Sequence, residues 1–415
     1  MVDRPKSRPN LTVMSRQYLP AFLAALLSFA PAARPAPDQP APALTDAQRQ
    51  RQPQRFAIIF NQGYAGDHLP KDLGEFEKMV VAVKEANFNV ILCAYDEKRA
   101  AICQKHDMQM FVDLLVPEHH VYRNVEACRK LCESLRGNPT IYGYHLWSDN
   151  IAGTAEGRSR DVKNVQAWDP THPAYLGAYR MSKVGSVQGM DVFGYYDFHW
   201  KRGGHWKNLN SAFNVVKARQ VGFFRYDDAK SGLVGQGNPN RVGYTMSTSI
   251  PFGLRGYLYH YAGGILDAQM KLDALGKDMQ KVNAKFASVG AELMKLKVPT
   301  AVYSTPITTD AKNDKLDAPS IPGGLPAVPK DAWFEVAAGE VLIGVCQDAA
   351  KNDVLILACH NPYQSQEVTL RLKGAKKAEC YDRAKGAWKP LTLANGQARV
   401  TVEDYAVELV RMARD

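Results

Sequence analysis

Carboxylates, aromatic rings and imidazoles recur together at separate points along the middle of this chain. Asn61 closes one apolar run, and Asp113 closes another, ahead of Glu118-His119-His120. His145, Trp147, Asp149 and Asn150 form a further group, followed by Tyr195, Tyr196, Asp197 and His199, by Arg225, Tyr226, Asp227 and Asp228, and by Tyr259, His260 and Tyr261. This mixture suits a sugar. Aromatic faces stack on the apolar C–H faces of a pyranose, while carboxylates accept hydrogen bonds from hydroxyls and exchange protons with a glycosidic oxygen.

Each group follows a short β-branched or aromatic run, and helix-period segments separate the runs. That alternation predicts βα units and a parallel sheet. The expected strands are Phe56–Asn61, Asn89–Tyr95, Gln109–Leu115, Ile141–Trp147, Ala174–Tyr179, Asp191–Phe198, Phe223–Asp228 and Gly256–Tyr261. In the segment Leu73–Ala86, Phe76, Met79, Val80 and Val83 recur at helical spacing. Eight units between residues 55 and 298 match the size of a (β/α)8 TIM barrel, whose functional groups stand at the C-terminal ends of the strands. The rival is an open doubly wound sheet, which calls for a glycine-rich phosphate loop after its first strand. Asn61-Gln62-Gly63-Tyr64 is not that loop. A long helix from Asp267 to about Leu296 is expected to close the barrel.

After Lys297 the helical period disappears. Runs at Glu340–Gln347, Asp353–His360, Glu367–Lys373 and Arg399–Met412 are separated by turn signals such as Lys351-Asn352-Asp353 and Asn395-Gly396. A small all-β sandwich over residues 299–415 is expected, with Ala311–Pro329 as a connection or a long first loop.

The run Gly137-Asn138-Pro139-Thr140-Ile141-Tyr142-Gly143-Tyr144-His145-Leu146-Trp147-Ser148-Asp149-Asn150 resembles the fourth-strand segment of clan A glycoside hydrolases and their β-galactosidase-like relatives. Asp169-Pro170-Thr171-His172-Pro173 is similar to the turn before the fifth strand in the same proteins. The resemblance covers the barrel and implies a catalytic acid/base at Asp149. It departs at both catalytic positions. Ser148-Asp149-Asn150 stands where those enzymes carry a D-E-P-like tripeptide, and no Glu occurs between Gly157 and Ala291 to serve as seventh-strand nucleophile. Asp227 or Asp228 would substitute. A second plan, similar to α-galactosidase-like enzymes, pairs Asp149 as nucleophile with Asp197 as acid. In either plan Trp147, Tyr195, Tyr196 and Tyr259 line sugar subsites, Asn61 and His199 bond hydroxyls, and His145 and Arg225 complete the binding set.

Plainer roles are open to the same residues. Asp149 could cap the helix after the fourth strand. Strand alternation sends Asp227 and Asp228 to opposite faces, so at most one serves the site. Arg225 could pair with either, and the tyrosines could be strand packing. His119-His120 would hold a metal only with further ligands from elsewhere, so no metal and no cofactor are expected.

Arg4, Lys6, Arg8 and Arg16 precede an apolar run, Leu19–Ala30, with small residues at Ala30 and Ala32. This reads as a signal peptide over residues 1–32, cleaved before Ala33, too short for a permanent membrane span. The Pro-, Ala- and Gln-rich stretch 33–54 reads as a disordered leader. The formal charge of +10 is spread along the chain without a basic block, which argues against a nucleic-acid partner. The seven cysteines show no disulfide framework and are expected to be buried small hydrophobes. Oligomeric state is not legible. The reading is an exported glycoside hydrolase-like protein acting on carbohydrate, and its alternative an inactive glycosidase-like barrel that binds carbohydrate or serves in assembly.

Overall fold

The computed structural model describes residues 44–62, 69–146, 154–178, 184–196, 204–228, 239–260, 262–310 and 314–413. Eight parallel strands close into a barrel in chain order. They are β1 (Ala57–Phe60), β2 (Val90–Cys93), β3 (Gln109–Asp113), β4 (Ile141–His145), β5 (Ala174–Ala178), β6 (Val192–Tyr196), β7 (Phe223–Asp228) and β8 (Leu254–His260), and β8 returns to β1 through Ala57↔Gly256. Both faces of such a strand are covered, which is why Val90–Cys93 is uniformly apolar and buried. Inside the barrel lie Ala57, Ile59, Val90, Leu92, Phe111, Tyr142, Tyr175, Val192, Phe224, Tyr226 and Leu258. Outward residues such as Ile58, Phe60, Ile91 and Phe193 pack against the helices.

The helix Leu73–Glu85 starts at Asp72, whose carboxylate accepts the Glu75 N–H, and it buries Phe76, Met79, Val80 and Val83. The last barrel helix is shorter than the sequence suggests, running from Ala274 to Leu293. Asp267 accepts N–H bonds from Gln269 (2.8 Å) and Lys271 (2.9 Å), folding the preceding segment into a turn, and Asp273 caps the helix through the Gly276 N–H at 2.7 Å.

The C-terminal region is antiparallel. A six-stranded sheet holds the strands Ala301–Ser304, Val341–Gln347, Asp353–Cys359, Lys377–Asp382, Ala387–Pro390 and Val407–Ala413, and a three-stranded sheet holds Phe334–Ala338, Gln366–Leu372 and Gln397–Val402. Between the two sheets lie Ile343, Leu355, Leu357, Val368, Leu370 and Val410. The opposite face of the larger sheet, with Leu342, Val354, Ile356 and Leu409, joins the barrel's own core.

Two expectations are corrected here. The run Arg399–Met412 is two strands in different sheets, broken at Glu403-Asp404-Tyr405, where Tyr405 takes a φ of 36°. Within Ala311–Pro329, Lys315–Ser320 is a strand paired to Ile307–Thr309; it is exposed and carries no apolar alternation to betray it. Lys351, Asn395 and Gly396 do adopt the positive φ their turns require. All seven cysteines are free, six of them buried. No helix among the described residues is long and apolar enough to cross a membrane.

Candidate functional site

The C-terminal ends of adjacent strands β3 and β4 pair in register at Asp113↔His145. Both side chains are 4% exposed, and His145 Nδ1 lies 3.2 Å from Asp113 Oδ1. That carboxylate oxygen also accepts the Leu115 N–H at 3.0 Å, which fixes it from the backbone side. The imidazole stacks on Tyr175 (centroids 5.4 Å apart, 19° between planes) and meets the edge of Phe111 at 5.7 Å. Tyr175 in turn stacks on Phe224 at 5.4 Å and lies 5.9 Å from Tyr226. An aromatic floor therefore fills the barrel under the dyad. Gly177 and Gly194 make room for it, since a Cβ at either position would run into the Tyr175 ring. Burial drives the Tyr175 hydroxyl well above the usual phenol range, so it stays protonated.

Beside this floor, His145 Nε2 is buried with no hydrogen-bond partner among the described residues. Asn61, just beyond β1, is buried as well. His120 lies in the loop after β3, edge-on to Tyr122 at 4.2 Å. Burial and then Arg123 lower its pKa, against the opposing pull of Asp113. Among the described residues no three His, Cys, Asp or Glu side chains are grouped as a metal would need.

The remaining sequence candidates distribute differently. Tyr259 lies on the outer side of the sheet, fully buried, with its hydroxyl donating to Asn283 Oδ1 at 2.6 Å on the closing helix and its ring edge-on to Phe88. Alternation explains this: Leu258 is the inward residue of β8, so its neighbour faces out. Arg225 is likewise an outward, fully buried residue, donating to His205 Nδ1 and Ser249 Oγ at 3.1 Å each. Burial, then the Arg225 charge, pushes His205 well below the ordinary imidazole pKa. Neither Tyr259 nor Arg225 is brought together with Asp113 and His145.

Asp227 and Asp228 end β7, paired in register with Tyr259 and His260. Tyr195 and Tyr196 are the last residues of β6. The side chains of these four, and all of Trp147, Asp149, Asp197 and His199, lie outside the described residues. The helix after β4, Ala155–Trp168, is capped by Thr154, whose hydroxyl accepts the Gly157 N–H at 3.1 Å. The capping job considered for Asp149 therefore belongs to Thr154. Sequence reasoning passed over Tyr175; the signal was its place two residues before Gly177, a large and a small residue alternating on the inward face.

No protein-family model matches the chain, and no curated protein does. Among solved structures, the α-galactosidase of Saccharomyces cerevisiae with raffinose is similar at 8% identity, with 87% of this chain and 98% of that chain covered and a TM-score of 0.51. An Anoxybacillus α-amylase aligns at 13% identity over 90% of this chain and 100% of that one, with a TM-score of 0.49. The chain shares the fold of that α-galactosidase.

Proposed function

We propose that the chain binds a carbohydrate at the C-terminal mouth of its barrel and hydrolyses a glycosidic bond there. The observation that carries this reading is the buried Asp113–His145 pair, whose Nε2 has no partner among the described residues, resting on an aromatic floor at the strand ends where such barrels keep their chemistry. Asp149, beyond β4, is the candidate proton donor, and Asp228, Asp227 and Asp197 are the candidate partner carboxylates. Trp147, Tyr195 and Tyr196 would supply sugar platforms, with Asn61, His145 and His199 bonding hydroxyls. The N-terminal segment supports export with cleavage before Ala33, and Met1 at the terminus of the exported protein would refute that part.

The fold has many uses, and the absence of Glu from Gly157 to Ala291 favours a second reading, a carbohydrate-binding barrel without turnover. Nitrophenyl glycosides and oligosaccharides, screened against the purified protein beside its Asp149→Asn variant, separate the two. Release of sugar that the variant loses supports hydrolysis. Saturable sugar binding without release supports the binding module, and neither one sinks both.

A further inference from the structure

His145 ends β4 in register with the end of β3, so backbone pairing fixes the separation of the two side chains before either makes a contact. Asp113 then takes Nδ1, at 3.2 Å, while the Leu115 N–H anchors the same carboxylate oxygen. Tyr175 stacks on one face of the ring and Phe111 packs against it at a steep angle, which restrains the imidazole in the orientation that keeps Nδ1 at Asp113. A neutral imidazole whose Nδ1–H is donated to a carboxylate carries its lone pair on Nε2. That atom is buried and has no partner among the described residues. A purely structural histidine in a packed interior normally has both nitrogens satisfied.

We infer that Asp113 is a positioning residue that holds His145 in the Nδ1–H tautomer, so that Nε2 accepts a hydrogen bond from a hydroxyl of the bound ligand. This rests on the carbohydrate-site reading above and narrows it. An acceptor nitrogen backed by a carboxylate selects a neutral hydroxyl donor and disfavours a carboxylate or phosphate group at the same point.

The test reads the tautomer directly. Full-length protein with ¹⁵N-labelled histidine gives long-range nitrogen–proton spectra in which His145 is the signal lost in His145→Gln. The wild type should show Nδ1 protonated and Nε2 bare, and glycerol or galactose added as hydroxyl probes should shift Nε2 upfield. In Asp113→Asn, which keeps the side-chain shape, the Nε2–H form should appear and the probe-dependent shift should shrink; Asp113→Ala should do the same if the Asn variant is poorly folded. A wild-type His145 protonated on Nε2 overturns the inference, as does an Nε2 that neither probe moves. The hydrolase reading fails separately. No glycoside turnover with a responsive Nε2 removes hydrolysis and keeps the dyad, whereas turnover with an unresponsive Nε2 and an unchanged KM in Asp113→Asn removes the dyad and keeps hydrolysis.

Discussion

Asp149 and Thr154 sit five positions apart, and the assignment of the helix cap to Thr154 separates their expected phenotypes. Thr154→Ala loses the bond to the Gly157 N–H and should cost about 1 kcal/mol of stability with little change in turnover on whichever glycoside the screen identifies. Asp149→Asn keeps size and much of the hydrogen bonding but cannot give up a proton. Its turnover should fall by roughly 100-fold or more, since positioned acid/base groups contribute about 10²–10⁴-fold, while its melting temperature stays near the wild-type value. Substrates with a good leaving group should suffer less. Melting curves and rates for both variants on an activated and an unactivated glycoside decide the matter, and unchanged hydrolysis in the Asn variant would move the acid role to Asp197 or Asp228. At this scale the sequence shows which residues end strands but not which way they face. Asp113 and Tyr259 both follow apolar runs. Only the register, with its irregularity at Met110/Phe111, puts Asp113 beside His145 while Tyr259 turns to Asn283.

The turn Asp169-Pro170-Thr171-His172 shows what a family-like motif does for an element when it does no chemistry. It joins the helix Ala155–Trp168 to β5, at the barrel end opposite the candidate site. Asp169 is fully buried; its Oδ2 accepts from the Tyr144 hydroxyl and from His172 Nδ1 at 2.6 Å each, and its Oδ1 accepts the Thr171 N–H at 2.8 Å. Burial acts to raise its pKa, yet the bonds from His172, Thr171 and Tyr144 outweigh that and hold the carboxyl below the usual range. A depressed carboxylate contributes stability that is complete above its unfolded value, roughly 3.9, and is lost as pH falls through the lower folded value. Asp169→Ala should therefore cost about 3 kcal/mol at neutral pH, and the gap to the wild type should narrow progressively as pH falls from about 4 toward the lower folded value. Urea unfolding of both proteins at pH 7 and in acid measures it; a gap independent of pH would mean that the ionised form contributes nothing. The eight barrel strands were legible in the sequence because strands covered on both faces read as unbroken apolar runs. Lys315–Ser320 was not, because an exposed two-stranded ribbon needs no such pattern.

At the scale of the whole molecule, the sandwich does not behave as an appendage. Along Asp353–Cys359 every residue is buried: Leu355 and Leu357 face the smaller sheet, while Val354, Ile356 and Ala358 face the barrel's core. Gly344 lies so close to the barrel segment Ile250–Phe252 that a Cβ there would come within 2.7 Å of the Pro251 carbonyl oxygen. Trp388 Nε1 donates to Glu292 of the closing helix at 2.7 Å, and Lys285 of the same helix reaches the Asp404 carbonyl at 2.9 Å and lies 4.2 Å from the centroid of the Tyr405 ring. Separating the two parts would expose one entire apolar face of the six-stranded sheet together with its counterpart on the barrel. Each Å² of apolar surface so exposed would cost about 25 cal/mol, against a total of only roughly 5–15 kcal/mol that holds a typical domain folded. The two parts should therefore melt in one calorimetric transition, and residues 55–298 expressed alone should fail to give a cooperative unfolding curve. Gly344→Val should lower the melting temperature of the entire chain, because a branched side chain has no room against Pro251 and its strain falls on both parts at once. Two resolved transitions, with Gly344→Val shifting only one, would show that barrel and sandwich are independent and that the shared core contributes little to either.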